Sequence, residues 1–334
     1  MHARFLLALF FVLPFALEQE APPSAGKPVL LGSGDHTYRW VSGWGEFQKE
    51  PMGNTHGCIV IDSQGKIYFN RDTEEAVTIV SPEGKKIGSW GKDFHNGLHS
   101  TVVVKPGGKE SLLLGHTRRG EAVLTSLDGE VIWTIPWPEK SQKYKKAEEF
   151  RPTTVAMAAD GAVFVADGYG KSWIHKFDKD RNYLMSFGGA GPNPDQLQSP
   201  HGMIIDTVDG KETLLVCDRE KHRLVRYDLD GKILKTYEGD LRRPSNIARL
   251  GDLYAIADLA GRVTLLQGPE MKLVCHLGDQ PNEQKRAQNG IPRAEWKDGE
   301  FFSPHAVAFD KDGNLYVEEW LNTGRIVKLE RVKR

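Results

Sequence analysis

The stretch 199–237, SPHGMIIDTVDGKETLLVCDREKHRLVRYDLDGKILKTY, decides the fold. It opens on the phrase Ser199-Pro200-His201-Gly202, and four short apolar runs follow it, separated by polar turns such as Asp209-Gly210 and Asp230-Gly231. Short apolar runs bounded by Asp-Gly turns predict four antiparallel strands. Because so small a unit cannot bury its apolar faces alone, the stretch predicts one member of a repeat array.

The same order of phrase, strand, turn and strand occurs five more times along the chain. The other opening phrases are Asn54-Thr55-His56-Gly57, Gly97-Leu98-His99-Ser100, Arg151-Pro152-Thr153-Thr154, Arg243-Pro244-Ser245-Asn246 and Ser303-Pro304-His305-Ala306. Helical periodicity is almost absent, and the polar stretch 278–302 is predicted to be a loop. Six radially repeated four-stranded units predict an all-β, six-bladed propeller.

The sixth repeat ends after its third strand, at Ile326-Val327-Lys328-Leu329. The N-terminal segment 38–45, YRWVSGWG, resembles the fourth strand of the first repeat at 87–91, IGSWG. We therefore predict that a strand around Trp40 completes the sixth blade and closes the ring, which removes an exposed sheet edge.

The first 20 residues are predicted to be a signal peptide. Phe5 to Leu17 is an unbroken apolar run that is too short for a membrane span, which needs about 20 residues. The predicted organisation is a signal peptide over 1–20, a linker over 21–35 and the propeller over 36–334. The signal peptide predicts that the protein is exported, so that it is either secreted or periplasmic. The alternative is that the apolar run stays uncleaved as a membrane anchor.

The formal net charge of the chain is −1, which indicates what kinds of partner it can attract. Nucleic acids and acidic membrane surfaces favour an excess of Lys and Arg. The composition therefore predicts no nucleic-acid partner, and no membrane partner once the signal peptide is removed.

Histidine stands at the third position of the opening phrase in blades two, four and six, as His99, His201 and His305. Alternate blades of a six-fold ring are about 120° apart. Three inward imidazoles at that spacing predict a zinc site with an open position. The alternative is that the three are bonded to backbone or water at the mouth of the channel. His56, in blade one, is expected to line the channel rather than to support the metal.

Three further polar residues follow the second strands of their blades: Arg71, Tyr169 and Arg219. Because second strands run antiparallel to the first, these residues are predicted to face the same mouth as the histidines. Two guanidiniums can bind a carboxylate, and a phenol beside cations can act as a base. The alternatives are ion pairs of the arginines with acids such as Asp72 or Asp218, and simple packing of the tyrosine.

The repeats resemble NHL repeats. Within that group, residues 54–330 resemble the peptidyl-α-hydroxyglycine α-amidating lyases. The resemblance is carried by four motifs: 164–169 (FVADGY), 199–202 (SPHG), 217–220 (CDRE) and 303–305 (SPH). It implies an NHL-type propeller in which His99, His201 and His305 hold zinc. It also implies that Tyr169, Arg219 and Arg71 are the active-site residues.

The reaction that the resemblance implies is cleavage of a peptidyl-2-hydroxyglycine to a peptide amide and glyoxylate. The substrate would be a small molecule or peptide that ends in a carboxylate. One departure concerns calcium. Ala306 stands where the family has an acid that binds a structural calcium ion, which argues against Ca²⁺ in this chain.

Two other functions fit the same sequence. The chain could be a non-catalytic NHL propeller that binds a protein or glycan partner at its mouth, since the fold alone does not specify catalysis. It could also be a different zinc-dependent hydrolase or lyase that uses the same pocket. Stoichiometric metal separates the first alternative from a zinc enzyme, and product analysis separates the second from the amidating reaction.

Overall fold

Six separate antiparallel sheets, one for each predicted repeat, are formed in the computed structural model, which describes residues 27–49 and 51–333. The predicted signal peptide lies outside the described residues. Blade one consists of β3 (Ile59–Ile61), β4 (Ile67–Asn70), β5 (Val77–Val80) and β6 (Lys86–Trp90). Blade two consists of β7 (Leu98–Val104), β8 (Ser111–His116), β9 (Glu121–Thr125) and β10 (Val131–Ile135). Blade three consists of β11 (Thr154–Met157), β12 (Val163–Ala166), β13 (Trp173–Phe177) and β14 (Tyr183–Gly188). The all-β, six-bladed prediction is confirmed.

The remaining blades follow the same plan. Blade four consists of β15 (Pro200–Val208), β16 (Lys211–Asp218), β17 (Arg223–Tyr227) and β18 (Ile233–Glu238). Blade five consists of β19 (Pro244–Leu250), β20 (Leu253–Asp258), β21 (Arg262–Gln267) and β22 (Lys272–Leu277). Blade six consists of β23 (Pro304–Phe309), β24 (Leu315–Glu319) and β25 (Arg325–Arg331) with the N-terminal β2 (His36–Trp40) and β1 (Leu30–Ser33). Helical structure in the described part of the chain is limited to short 3-10 turns, and none of these could cross a membrane.

The apolar core is divided into six clusters, each between two neighbouring blades. Strand β12 shows how the sequence produces this arrangement. Val163 and Val165 pack towards blade two, whereas Phe164 and Ala166 pack towards blade four. Successive side chains of a strand point to opposite faces, so an apolar run without polar interruption is required where both faces are covered. Burying each large side chain contributes roughly 1.5–3 kcal/mol.

The N-terminal strands join the sixth blade. Strand β2 pairs antiparallel with β25, with Trp40 opposite Leu329, and β1 pairs with β2 as an outer fifth strand. Trp40 is buried against Phe301, with ring centroids 4.9 Å apart. The linker predicted over 21–35 is wrong for Leu30–Ser33, because these residues form a hairpin with β2 and extend the sheet.

We predict that the ring depends on this N-terminal hairpin. Truncating the chain after the hairpin, so that it begins at Val41, removes the buried Tyr38 and Trp40 and leaves β25 as an exposed edge. Loss of a buried Trp side chain alone costs about 3–5 kcal/mol, so the melting temperature should fall and the protein should aggregate on heating. Leu30→Ala is the control, since Leu30 is 55% exposed and its truncation should leave melting unchanged. A truncated chain that stays soluble and melts like the parent would contradict the prediction.

Candidate active site

Irregular pairing at the start of the inner strands directs the three predicted histidines into the channel. The register between the first two strands shifts between Leu98 and Ser100, between Pro200 and Met203, and between Pro304 and Ala306. His99, His201 and His305 lie within these shifts. A bulge leaves a residue out of the regular alternation and re-aims its side chain. Local backbone geometry therefore brings the three imidazoles to one place.

The histidines form one buried cluster at the axis of the ring. Ring centroids are 4.8 Å apart for His99 and His201, 5.0 Å for His99 and His305, and 4.8 Å for His201 and His305. Their exposed fractions are 3%, 2% and 2%. His56 adjoins the cluster, 4.8 Å from the rings of both His99 and His305, and packs near Trp320.

Each of the three alternate-blade histidines is held through its Nδ1 atom by a backbone carbonyl. The distances are 2.7 Å from His99 to Thr153 O, 2.9 Å from His201 to Ser245 O and 2.8 Å from His305 to Gly57 O. Because a carbonyl only accepts, each Nδ1 carries the proton and each Nε2 presents a lone pair to the centre of the cluster. Metal-binding histidines are characteristically oriented in this way.

The cluster contains more lone pairs than protons to satisfy them. The Tyr169 hydroxyl lies 3.1 Å from His99 Nε2 and 3.0 Å from His201 Nε2, but it has a single proton to donate. Nε2 of His305 is buried and has no hydrogen-bond partner within the described residues. Unpaired nitrogen lone pairs that converge in a buried site fit a metal cation. The cluster could therefore hold a metal ion.

Two different triplets of histidines are candidates for the ligands. By distance alone, His56, His99 and His305 have ligand atoms that all lie within 4.8 Å of one another. The alternate-blade triplet includes His201 instead of His56. We favour the latter because its three members share the carbonyl anchor, whereas Nδ1 of His56 makes no such bond in the described structure.

Tyr169 reaches the cluster from the loop after β12. Its backbone N–H donates to Arg151 O at 3.3 Å, and its hydroxyl lies 3.4 Å from His56 Nε2 in addition to the two contacts above. The preceding Gly168 approaches blade four so closely that a Cβ there would lie 2.1 Å from Pro200 O. Glycine is thus required for this loop to pack over the channel.

Acids at the ends of second strands hold these loops, a role that was not predicted from the sequence. Asp167 Oδ1 accepts from Arg151 N at 2.7 Å, and Asp167 Oδ2 accepts from Lys171 N at 2.6 Å and from the Tyr144 hydroxyl at 2.7 Å. Acids at the end of the second strand accept from a backbone N–H at or just before the opening phrase in three other blades: Asp218, Asp258 and Glu319. Because these acids recur at one position of the repeat, their role in holding the loops could have been inferred from the sequence. It shows how the opening phrase and the following loop are held together.

Arg219 lies beside Tyr169. Its Nη1 is 3.4 Å from the Tyr169 hydroxyl and its Cζ is 5.4 Å from the centroid of the ring, while its Nε donates to Glu220 at 2.8 Å. Arg71 lies differently, because its guanidinium donates to Met52 O at 3.1 Å and to Glu75. Among the described residues, Arg71 forms no hydrogen bond with the histidines or with Tyr169. Both arginines are ion-paired, but with glutamates rather than with Asp72 or Asp218.

Burial controls the protonation of the cluster. It lowers the pKa of His99, His201 and His305 well below the ordinary value, and the neighbouring histidines and the Arg219 guanidinium oppose protonation further. Burial and then the charge of Arg219 lower the pKa of His56 to about 4. The imidazoles are therefore neutral at pH 7, as metal binding requires. Burial raises the pKa of Tyr169, while the Arg219 guanidinium opposes that rise.

A cavity of about 390 Å³ opens beside the cluster. His56, His99 and Tyr169 form its inner wall, and Arg118 and Arg151 line it farther out. This volume accommodates a small organic ligand next to the imidazoles. The histidine cluster, the Tyr169 phenol, two guanidiniums and the acids Asp72 and Glu148 thus surround one open space.

Comparison with known proteins finds peptide-amidating enzymes among the relatives of the chain. No protein-family model matches the chain. Peptidyl-α-hydroxyglycine α-amidating lyase 2 of Drosophila melanogaster is 30% identical over 178 residues, which cover 51% of this chain and 39% of that protein. The chain is an NHL-type propeller that resembles the amidating lyases.

Two further relatives cover more of the chain. The Caenorhabditis elegans protein named "Probable peptidyl-alpha-hydroxyglycine alpha-amidating lyase" is 25% identical over 278 residues, 78% of this chain and 73% of that protein. Peptidylglycine α-amidating monooxygenase of Rattus norvegicus is 28% identical over 332 residues, 92% of this chain but 30% of that protein. The chain thus spans less than half the length of the fly and rat relatives.

Solved propellers share the architecture. A gluconolactonase from Xanthomonas campestris superposes with a TM-score of 0.63 at 12% identity, covering 91% of this chain and 95% of that one. Virginiamycin B lyase from Staphylococcus aureus gives 0.53 at 13% identity, with coverage of 90% and 94%. At such identities the likeness concerns the fold, and the function has to be argued from the site.

Proposed function

We propose that the chain is a zinc-dependent lyase that cleaves a peptidyl-2-hydroxyglycine-like carbinolamide to an amide and glyoxylate. The observation that carries this proposal is the set of three carbonyl-anchored imidazoles, two of which contact the Tyr169 hydroxyl. Resemblance to the amidating lyases supports the reaction type.

The metal would be bound by Nε2 of His99, His201 and His305. Three neutral imidazoles with an open position are a donor set that suits catalytic zinc. When bound, zinc supplies Lewis-acid polarisation of the substrate hydroxyl and a positive charge that favours the phenolate of Tyr169. The chain offers no acid at Ala306, and structural calcium is not part of the proposal.

Tyr169 would act as the base. In the reaction the phenolate takes the proton of the substrate hydroxyl, the C–O bond becomes the carbonyl of glyoxylate, and the C–N bond breaks. The departing amide nitrogen takes a proton, which the phenol can return. The contacts of the Tyr169 hydroxyl with Nε2 of His99 and His201 support this role.

Arg219 would bind the substrate carboxylate and so position the scissile C–N bond. Its Nη1 faces the Tyr169 hydroxyl, which supports that role. A catalytic role for Arg71 has weaker support, because its guanidinium is engaged by Glu75 and Met52 O. The acyl or peptide part of the substrate would occupy the cavity. The apolar N-terminal run supports export, so we expect the substrate outside the cytoplasm.

The direct test uses the purified protein and N-benzoyl-2-hydroxyglycine. We expect zinc to copurify, and we expect benzamide and glyoxylate to form in equal amounts, with loss of activity on chelation and recovery with Zn²⁺. Both products are quantified by chromatography against the spontaneous reaction. If the protein holds zinc but releases no glyoxylate, the amidating reaction is excluded and another zinc-dependent reaction takes its place. If it holds no metal, a binding role at the mouth of the propeller takes its place.

A further inference from the structure

Two arginines line the cavity, Arg118 and Arg151, and of these two only Arg151 lies over the Tyr169 ring among the described contacts. It lines the cavity next to His99 and Tyr169, and its Cζ lies 6.0 Å from the centroid of the Tyr169 ring. Its backbone is fixed to the same loop, since Arg151 N donates to Asp167 and Arg151 O accepts from Tyr169 N. The backbone from which the exposed guanidinium extends is therefore fixed beside the phenol.

The repeat supplies an internal comparison. Arg243 opens the fifth blade at the position that Arg151 holds in the third, and its guanidinium is paired with Glu220 at 2.7 Å. Arg219 and Arg71 are paired with Glu220 and Glu75. Arg151 makes no ion pair with any described residue. An unpaired guanidinium on the wall of a cavity is available for an anionic ligand.

The geometry points to Arg151 as a second guanidinium, beside Arg219, that binds the carboxylate of the ligand in this cavity. This inference rests on the proposed function for the identity of that ligand. Arg219 and Arg151 both lie near the Tyr169 ring, at 5.4 Å and 6.0 Å from its centroid. A carboxylate bound by both guanidiniums would stand next to the phenol, where the hydroxyl-bearing carbon of the substrate must be. Arg71 takes no part in this recognition.

The ligand class follows from this assignment. Two guanidiniums around one carboxylate recognise the α-carboxylate of an N-acylated glycine derivative, and a carboxamide or a neutral isostere leaves them unpaired. The selectivity is therefore for the free acid. The acyl part, which points away from Tyr169 into the cavity, is less constrained.

The test measures binding without turnover, using the metal-loaded parental protein and the variants Arg151→Gln and Arg151→Lys. The probes are N-benzoylglycine, which lacks the reactive hydroxyl, and benzamide, which lacks the carboxylate. We expect Arg151→Gln to weaken the affinity for N-benzoylglycine about 10- to 100-fold, which is the range for loss of a charge-assisted hydrogen bond. Benzamide affinity should stay unchanged, and Arg151→Lys should recover part of the loss. Arg119→Gln, which removes a charge outside the cavity, is the matched control.

The outcomes separate this inference from the proposed reaction. Unchanged N-benzoylglycine binding in Arg151→Gln, or equal losses for both probes, overturns the carboxylate assignment. So does a parental protein that binds N-benzoylglycine no better than benzamide. A parental protein that binds N-benzoylglycine through Arg151 but releases no glyoxylate from the hydroxylated analogue refutes the lyase reaction and leaves the assignment of Arg151 intact. In an active enzyme, Arg151→Gln should raise KM for the acid more than it lowers kcat.

Discussion

Replacing His201 by alanine should remove most of the zinc from the protein and abolish glyoxylate release. His201 is buried, its Nδ1 is anchored to Ser245 O, and its Nε2 faces the centre of the cluster. Changes in residues that only support a zinc ligand already weaken metal binding by about 10- to 100-fold, so loss of a ligand should cost at least as much. Elemental analysis after gel filtration measures zinc per chain, and the glyoxylate assay is run on the same sample.

The companion variants decide between the two histidine triplets. His56→Ala should keep its zinc if the anchored triplet is correct, whereas it should lose zinc if the ligands are His56, His99 and His305. His95→Ala controls for the substitution itself, since His95 is exposed and contacts only Lys92 O among the described hydrogen bonds. Unchanged zinc in His201→Ala together with loss in His56→Ala would falsify the assignment of the ligands. Melting temperatures of all three variants show whether any loss reflects unfolding.

Much of the fold could be predicted because a repeat multiplies a weak signal. One apolar run such as Val163-Phe164-Val165 is ambiguous by itself, but six such runs, each after the same phrase, specify a blade. The same argument placed a strand around Trp40 next to the incomplete sixth repeat, and β2 does pair with β25. Strand β1 was missed because it has no counterpart in the other repeats, so positional reasoning could not detect it.

Site residues could be predicted only where they occupy an equivalent position in several repeats. His99, His201 and His305 share one position, and Tyr169 lies where the antiparallel argument puts it, in contact with two of them. Arg71 shares that position in the sequence, yet its guanidinium turns to Glu75. The direction of a long, flexible side chain depends on its nearest acid, which the strand pattern does not show.

Two other features of the site are visible only in the folded chain. The bulges that aim the histidines leave only one or two residues out of the strand register, so the sequence gives little sign of them. Arg151 stands in an opening phrase whose equivalent in blade five is ion-paired, and only the contacts show that the two arginines differ. Which arginine is free for a ligand is a property of the folded chain.

Replacing Tyr169 by phenylalanine should lower kcat for glyoxylate release by about 10² to 10⁴, the usual contribution of a general base. The substitution keeps the ring that packs against His201 and removes only the hydroxyl. Because a buried hydrogen bond contributes a net of about 0.5–1.5 kcal/mol, melting should change little. Zinc content should be unchanged, since the phenol is not among the proposed ligands. KM should also change little, because Arg219 and Arg151 remain to bind the carboxylate.

The pH profile distinguishes a base from a residue that only positions the substrate. If the phenolate is the reactive form, the parental kcat rises with pH until the phenol is ionised, and the Tyr169→Phe variant lacks that rise. Tyr183→Phe is the matched control: it removes a phenol on β14 that hydrogen-bonds Ser186 at 2.8 Å, away from the cavity, and should leave rate and profile as in the parent. Parental turnover in Tyr169→Phe would exclude the tyrosine as the base. A lowered rate with the parental profile would instead assign it a positioning role, with its hydroxyl serving to orient His99 and His201.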